Sequence, residues 1–141
     1  ASSEFLKELV KVMDCAAICA PKLGQRSALY ALMHLHDWRE EKKHLMNLRA
    51  ESFRRHFQEN NRSRFHLSTL GPCFAYIRHS EVGETAYKVA KNLAWNENLL
   101  LLPGSMFGPN QDSFLRIAFA NVEMERFHEM MTRFKNFAPE N

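Results

Sequence analysis

The apolar positions change rhythm along the chain. From residue 3 to about residue 58 they recur at helical spacing. From residue 65 onward they gather into short runs bounded by glycine and proline. Residues 3–14 read as a helix with Leu6, Leu9, Val10 and Met13 on one stripe. The apolar run 15–20 lies before Pro21, so it ends that helix or is extended. Pro21 opens a second helix, where its missing N–H costs nothing, with Leu23, Ala28, Leu32 and Leu35 at helical intervals. Asp37 is placed to cap a third helix reaching about Gln58, with a seam of Trp38, Leu45, Leu48, Phe53 and Phe57. The polar residues 59–64 read as a turn, and residues 65–67 as a short strand.

Behind Gly71 and Pro72 the period becomes two. Residues 74–79 form a strand, with Phe74, Tyr76 and Arg78 on one face and Ala75, Ile77 and His79 on the other. A helix follows through about Trp95, with Ala86, Val89, Ala90 and Leu93 inward. Residues 99–102 then predict a strand, 103–109 a loop and 114–119 another strand. Asn121 is placed to cap a last helix, with Glu123 and Glu125 in its first turn and Met124, Phe127, Met131 and Phe134 buried. A right-handed crossover makes strands 74–79 and 99–102 parallel. The loop before 114–119 is too short for a helix, so that strand runs antiparallel to its predecessor. The expected fold is α/β in two-layer α+β form. It has a small mixed or antiparallel sheet of three to four strands, helices on one face and a long-helix region in front.

Composition narrows the classes. A chain of 141 residues matches one domain, 1–141, and buries enough surface for a core. No apolar run approaches a membrane span, and no signal peptide is visible, so no membrane partner and a cytoplasmic location are expected. Three cysteines, Cys15, Cys19 and Cys73, lack zinc-ligand spacing and read as thiols; no metal site is expected. The net charge of +3 is concentrated: residues 39–64 hold eight Lys/Arg against four Glu. Glutamates interrupt that basic face and no recognition motif accompanies it, so a solvated helix is expected rather than a nucleic-acid partner. His79 is a general base by residue type alone, and is read as structural.

One residue does not fit a structural account. In strand 114–119, Leu115, Ile117 and Phe119 share the core face, while Phe114, Arg116, Ala118 and Ala120 share the other. Arg116 is a permanent cation in the middle of an apolar strand, and a buried charge must meet an anion or reach water. Two readings stand: an internal salt bridge or snorkelling side chain, or a fork that holds a carboxylate or phosphate through paired hydrogen bonds. The loop ahead of it carries Gly104 and Gly108, which allow positive φ.

Three motifs carry a resemblance. Gly71-Pro-Cys-Phe-Ala-Tyr-Ile-Arg-His79, Leu102-Pro-Gly-Ser-Met-Phe-Gly108 and Phe114-Leu-Arg-Ile-Ala-Phe-Ala-Asn121 occur in the order seen in pyridoxal-phosphate-dependent class I/II aminotransferases of fold type I. Their spacings are similar to those of that family's C-terminal part. Ala20-Pro-Lys-Leu-Gly-Gln25 resembles the family's turn before a small-domain helix.

The resemblance covers nearly the whole chain and implies the C-terminal small domain, with residues 1–20 leading from an absent large domain. It implies that Arg116 binds the α-carboxylate of an amino-acid or 2-oxo-acid substrate, with Ser105 and Phe107 as the other substrate-binding candidates. It also implies pyridoxal 5'-phosphate in the full-length enzyme, and a homodimer through the large domain. The family's catalytic lysine lies N-terminal to the matched part. No catalytic or cofactor-binding residue is therefore expected among these residues, and the piece alone should be inactive without bound cofactor. The competing reading is a ferredoxin-like module that binds a small ligand without chemistry.

Overall fold

The computed structural model describes residues 2–17, 19–59, 64–80 and 83–137. Most of the predicted turn at 59–64, and part of the entry to the helix after residue 80, lie outside the described residues. The chain divides into two compact units, Ala1–Glu41 and Lys42–Asn141.

The first unit contains α1 (Ser3–Ala16) and α2 (Lys22–His34), and α3 (His36–Glu59) begins in it. Ser2 caps α1 by accepting a hydrogen bond from the Phe5 N–H at 3.2 Å, satisfying one free donor of the first turn. The predicted stripes are helical, but no residue of α1 or α2 is buried. Periodicity thus locates the helices without locating a core. The predicted cap is off by a residue or more, since α3 starts at His36 and Asp37 falls in its first turn.

The second unit holds the core. Its sheet comprises β1 (Phe65–Leu70), β2 (Phe74–His79), β3 (Leu102–Pro103) and β4 (Phe114–Ala118), in the order β1-β2-β4-β3 with every pairing antiparallel. β2 and β3 run the same way, as the crossover rule requires, with β4 between them. Helices α4 (Ala86–Asn96) and α5 (Phe127–Asn136) supply buried side chains, and α3 contributes Phe53 and Phe57. These join Ala75, Ile77, Leu115 and Ile117 from one sheet face in a single core. Phe53 lies at its centre, fully buried, with ring centroids 4.9 Å from Phe57, 4.8 Å from Phe119 and 5.5 Å from Phe127. Trp38 and Leu48 of the predicted α3 seam are exposed instead.

Two predicted elements take another form. Strand 99–102 shrinks to Leu102–Pro103. Asn98 turns left-handed (φ 52°) at the end of α4, and the Leu99 N–H bonds back to the Leu93 carbonyl at 2.9 Å. That helix-ending turn uses the donor a strand would need. Pro103 is tolerated because β3 is an edge strand. The last helix does not start at Asn121. Backbone at Val122 (ψ 137°) and Glu123 (ψ 144°) is extended, so 3₁₀ turns at Phe119–Asn121 and Met124–Arg126 precede α5, whose first-turn acid is Glu129.

Candidate functional site

The strand alternation predicted for β2 and β4 leaves a second sheet face away from α4 and α5. It carries Phe74, Tyr76 and Arg78 from β2, Phe114, Arg116 and Ala118 from β4, and Leu102 from β3. Register places Tyr76 and Leu102 on either side of Arg116. Phe74, two pairs along opposite Ala118, is diagonal to it.

Arg116 is half-buried, and among the described residues no carboxylate lies within ion-pair distance of it. Its neighbours are rings instead. The guanidinium carbon is 3.9 Å from the Phe107 ring centroid and 4.6 Å from that of Phe74. Phe74 and Phe107 are 47% and 42% exposed, so the core does not account for them. Tyr76 stacks on Phe114 at 5.2 Å with nearly parallel planes. Burial pushes the Tyr76 hydroxyl above the ordinary tyrosine pKa, and the adjacent Arg116 charge offsets part of that rise.

The loop reaches Arg116 because of Gly104. A Cβ there would lie 2.4 Å from the Gln111 carbonyl oxygen, 2.7 Å from the Tyr76 hydroxyl and 2.8 Å from the Phe114 carbonyl oxygen. The 3₁₀ turn Gly104–Met106 therefore closes down on β4 and Tyr76, and the Phe107 N–H bonds to the Gly104 carbonyl at 2.8 Å. Glycine is needed for space at 104; positive φ is used at Gly108 (φ +155°). Of the three predicted contacts, the structure brings Arg116 and Phe107 together. Ser105 is exposed on the same turn, and no described residue hydrogen-bonds its hydroxyl.

Sequence reasoning misses three contributors. Phe74 and Tyr76 fall on the right face but carry no role there; their signal is two aromatics facing a strand arginine. Arg49 is read from sequence as part of the solvated basic face of α3. It turns inward, its side chain 12% exposed, donating to the Ala120 and Val122 carbonyls at 2.8 and 2.9 Å and to Glu123 Oε2 at 3.0 Å. It therefore ties down the chain just past β4. His79 is buried, with its Nε2 2.9 Å from the Asp112 carbonyl oxygen.

Elsewhere, a groove of about 270 Å³ lined by Leu99, Leu100, Ile117, Met130 and others carries Glu129, which pairs internally with Arg126 and Arg133. It offers no free group comparable to Arg116. Among the described residues no cluster of metal-ligating side chains forms, and no helix is long and apolar enough to cross a membrane.

No family model matches the chain. A Bacillus subtilis (strain 168) protein named as an aminotransferase, YugH, is 27% identical over 129 residues, covering 92% of this chain and 33% of its own length. Among solved structures, the α-aminoadipate aminotransferase LysN of Thermus thermophilus, complexed with N-(5'-phosphopyridoxyl)-L-leucine, aligns with TM-score 0.70 and 21% identity over 96% of this chain and 35% of that one. An aromatic aminotransferase from Pyrococcus horikoshii aligns with TM-score 0.68 and 22% identity over 96% and 36%. The chain spans about a third of the length of these relatives. In sequence and in fold it is therefore similar to one part of an aminotransferase, consistent with the C-terminal small domain whose motifs it resembles.

Proposed function

We propose that this chain serves a pyridoxal-phosphate-dependent aminotransferase by binding the α-carboxylate of the amino-acid substrate through Arg116. The observation that carries the reading is a guanidinium on an open sheet face, held against rings with no carboxylate in reach among the described residues. An unneutralised, partly desolvated arginine binds a planar anion better than a surface one does, because fewer waters screen the pair.

In this reading the groups that hold pyridoxal phosphate belong to parts of the enzyme outside these residues; every lysine here lies on a helix, none on the sheet or the loop 103–113 beside Arg116, and no chemical step is assigned to this chain. Its contribution is to grip and orient the substrate and, with the loop 103–109, to cover the cleft. Residues 1–20 lead from the rest of the enzyme in this reading, and the working form is a homodimer in the cytoplasm.

The test is Arg116→Ala and Arg116→Lys in the full-length enzyme. Expected losses in kcat/KM for amino-acid substrates correspond to about 2–5 kcal/mol for the alanine variant, the range for removing half of a buried charge pair. The lysine variant should also be impaired, since an ammonium cannot reproduce the fork. Unchanged kcat/KM in both would overturn the reading.

A further inference from the structure

We infer that Phe74 and Phe107 are positioning residues for the Arg116 guanidinium, holding it by cation–π attraction in the place where a protein would ordinarily use a carboxylate. The inference rests on the carboxylate-binding reading above and adds how the charge is kept available.

The argument starts from a conflict. A half-buried arginine needs a partner to keep its long side chain in one rotamer, and the usual partner is an acid. An internal acid would neutralise the charge and occupy the N–H fork that a substrate carboxylate requires. An aromatic ring resolves the conflict. Its negative face attracts the cation, yet it presents no oxygen to accept the fork's hydrogen bonds. Both rings at Arg116 meet this need at 3.9 and 4.6 Å from the guanidinium carbon.

Burial does not explain these rings, since roughly half of each remains exposed while, among the described residues, eighteen hydrophobic side chains fill the core without them. They also arrive by independent routes. Phe74 stands on β2, diagonal to Arg116 across the sheet. Phe107 is delivered by the turn that Gly104 alone allows to sit against Tyr76 and β4. One ring is fixed by the sheet and the other by the loop, so the guanidinium's setting depends on the loop being seated.

The experiment uses the full-length, cofactor-loaded enzyme and two ligands that differ in one group, hydrocinnamate and its amide, with affinities measured by calorimetry. Preference for the acid over the amide is the readout. The parent should prefer the acid, and Arg116→Met should abolish that preference. Phe107→Leu keeps an apolar side chain without a quadrupole and should cut the preference by about 3- to 10-fold, the span of a modest cation–π contact. Phe107→Tyr should retain it, and Phe74→Leu should act in the same direction as Phe107→Leu. Fluorinated phenylalanines at 107 preserve shape while draining the ring face, and the preference should fall stepwise with fluorine number. That series also serves if a leucine variant fails to fold.

In the Arg116→Met background, Phe107→Leu should do nothing further. A preference that tracks neither ring removal nor fluorination, while Arg116→Met still abolishes it, would overturn this inference and leave the carboxylate reading standing. A parent indifferent to acid or amide would overturn both.

Discussion

The two faces of the sheet follow opposite rules. On the helix side, Ala75, Ile77, Leu115 and Ile117 are all buried at 6% exposure or less and belong to the hydrophobic core. On the other side, the same two strands present rings and cations, half-covered, with neither α4 nor α5 packed over them. The first face is explained by the stability it provides, since each of its larger buried side chains contributes on the order of 1.5–3 kcal/mol of transfer free energy. The second is not explained that way. Two exposed phenylalanines and a mid-strand arginine are costs to an isolated fold, which makes them evidence for an external ligand or layer. Substitutions on the two faces should therefore separate folding from function.

The largest effect on folding should come from the helix-side core. Phe53→Ala removes a fully buried ring that meets Phe57, Phe119 and Phe127, and should cost about 3–5 kcal/mol in urea unfolding. Arg116→Ala is its mirror image. Its loss appears as about 2–5 kcal/mol in substrate transition-state binding by the full-length enzyme, while the unfolding free energy moves by less than about 1 kcal/mol, the worth of the ring contacts alone. If Arg116→Ala unfolded the protein as Phe53→Ala does, the contrast between the faces would collapse and the arginine would be structural.

Arg49→Met should fall between the two, at about 2–3 kcal/mol of stability. It strands the carbonyls of Ala120 and Val122 without their charged donor, while the exposed Glu123 simply returns to water. Because those carbonyls lie a few residues beyond Arg116, the same variant should also weaken substrate binding modestly. A stability loss with substrate affinity wholly unchanged would show that the end of β4 can loosen without disturbing the site.

The helix-side face is largely legible in the sequence, because period two and period 3.6 are imposed by backbone geometry. Ala86, Val89, Ala90 and Leu93 of α4 turn inward as spaced. Legibility fails where backbone polar groups, not side-chain pattern, decide. Leu99 looks like a strand residue, but its N–H is taken by the Leu93 carbonyl. Asn121 looks like a cap, but extended backbone at Val122 and Glu123 defers the helix. Arg49 looks like one more surface cation, since no local pattern announces that a side chain reaches carbonyls more than seventy positions away. At the open face, alternation identifies Arg116 and its company, and the motif supplies Phe107. The steric role of Gly104 requires knowing that the Gln111 carbonyl and the Tyr76 hydroxyl converge there.

Gly104→Ala tests that convergence. Its Cβ meets backbone on two sides, so the turn must lift, costing about 1–3 kcal/mol of stability. Lifting the turn withdraws Phe107 from the guanidinium. Acid-over-amide preference should therefore fall as it does for Phe107→Leu, although glycine presents no side chain to Arg116. Normal preference together with lowered stability would separate the turn from the site.

The smallest effect is also the most direct reading of the open face's electrostatics. Burial raises the Tyr76 pKa and Arg116 lowers it by a lesser amount. A raised folded-state value means that the folded protein holds its proton more tightly than the unfolded chain does. The associated stability is fully present below the ordinary tyrosine pKa and is lost as pH rises from there through the folded value. Tyr76→Phe should flatten that alkaline limb, and ultraviolet titration against this variant isolates the Tyr76 transition. Removing the cation in Arg116→Ala should move the transition to still higher pH, because only the burial contribution remains. A transition that stayed put would place the guanidinium farther from the hydroxyl than the register Tyr76↔Arg116 requires, and the compact arrangement of the open face would have to be redrawn.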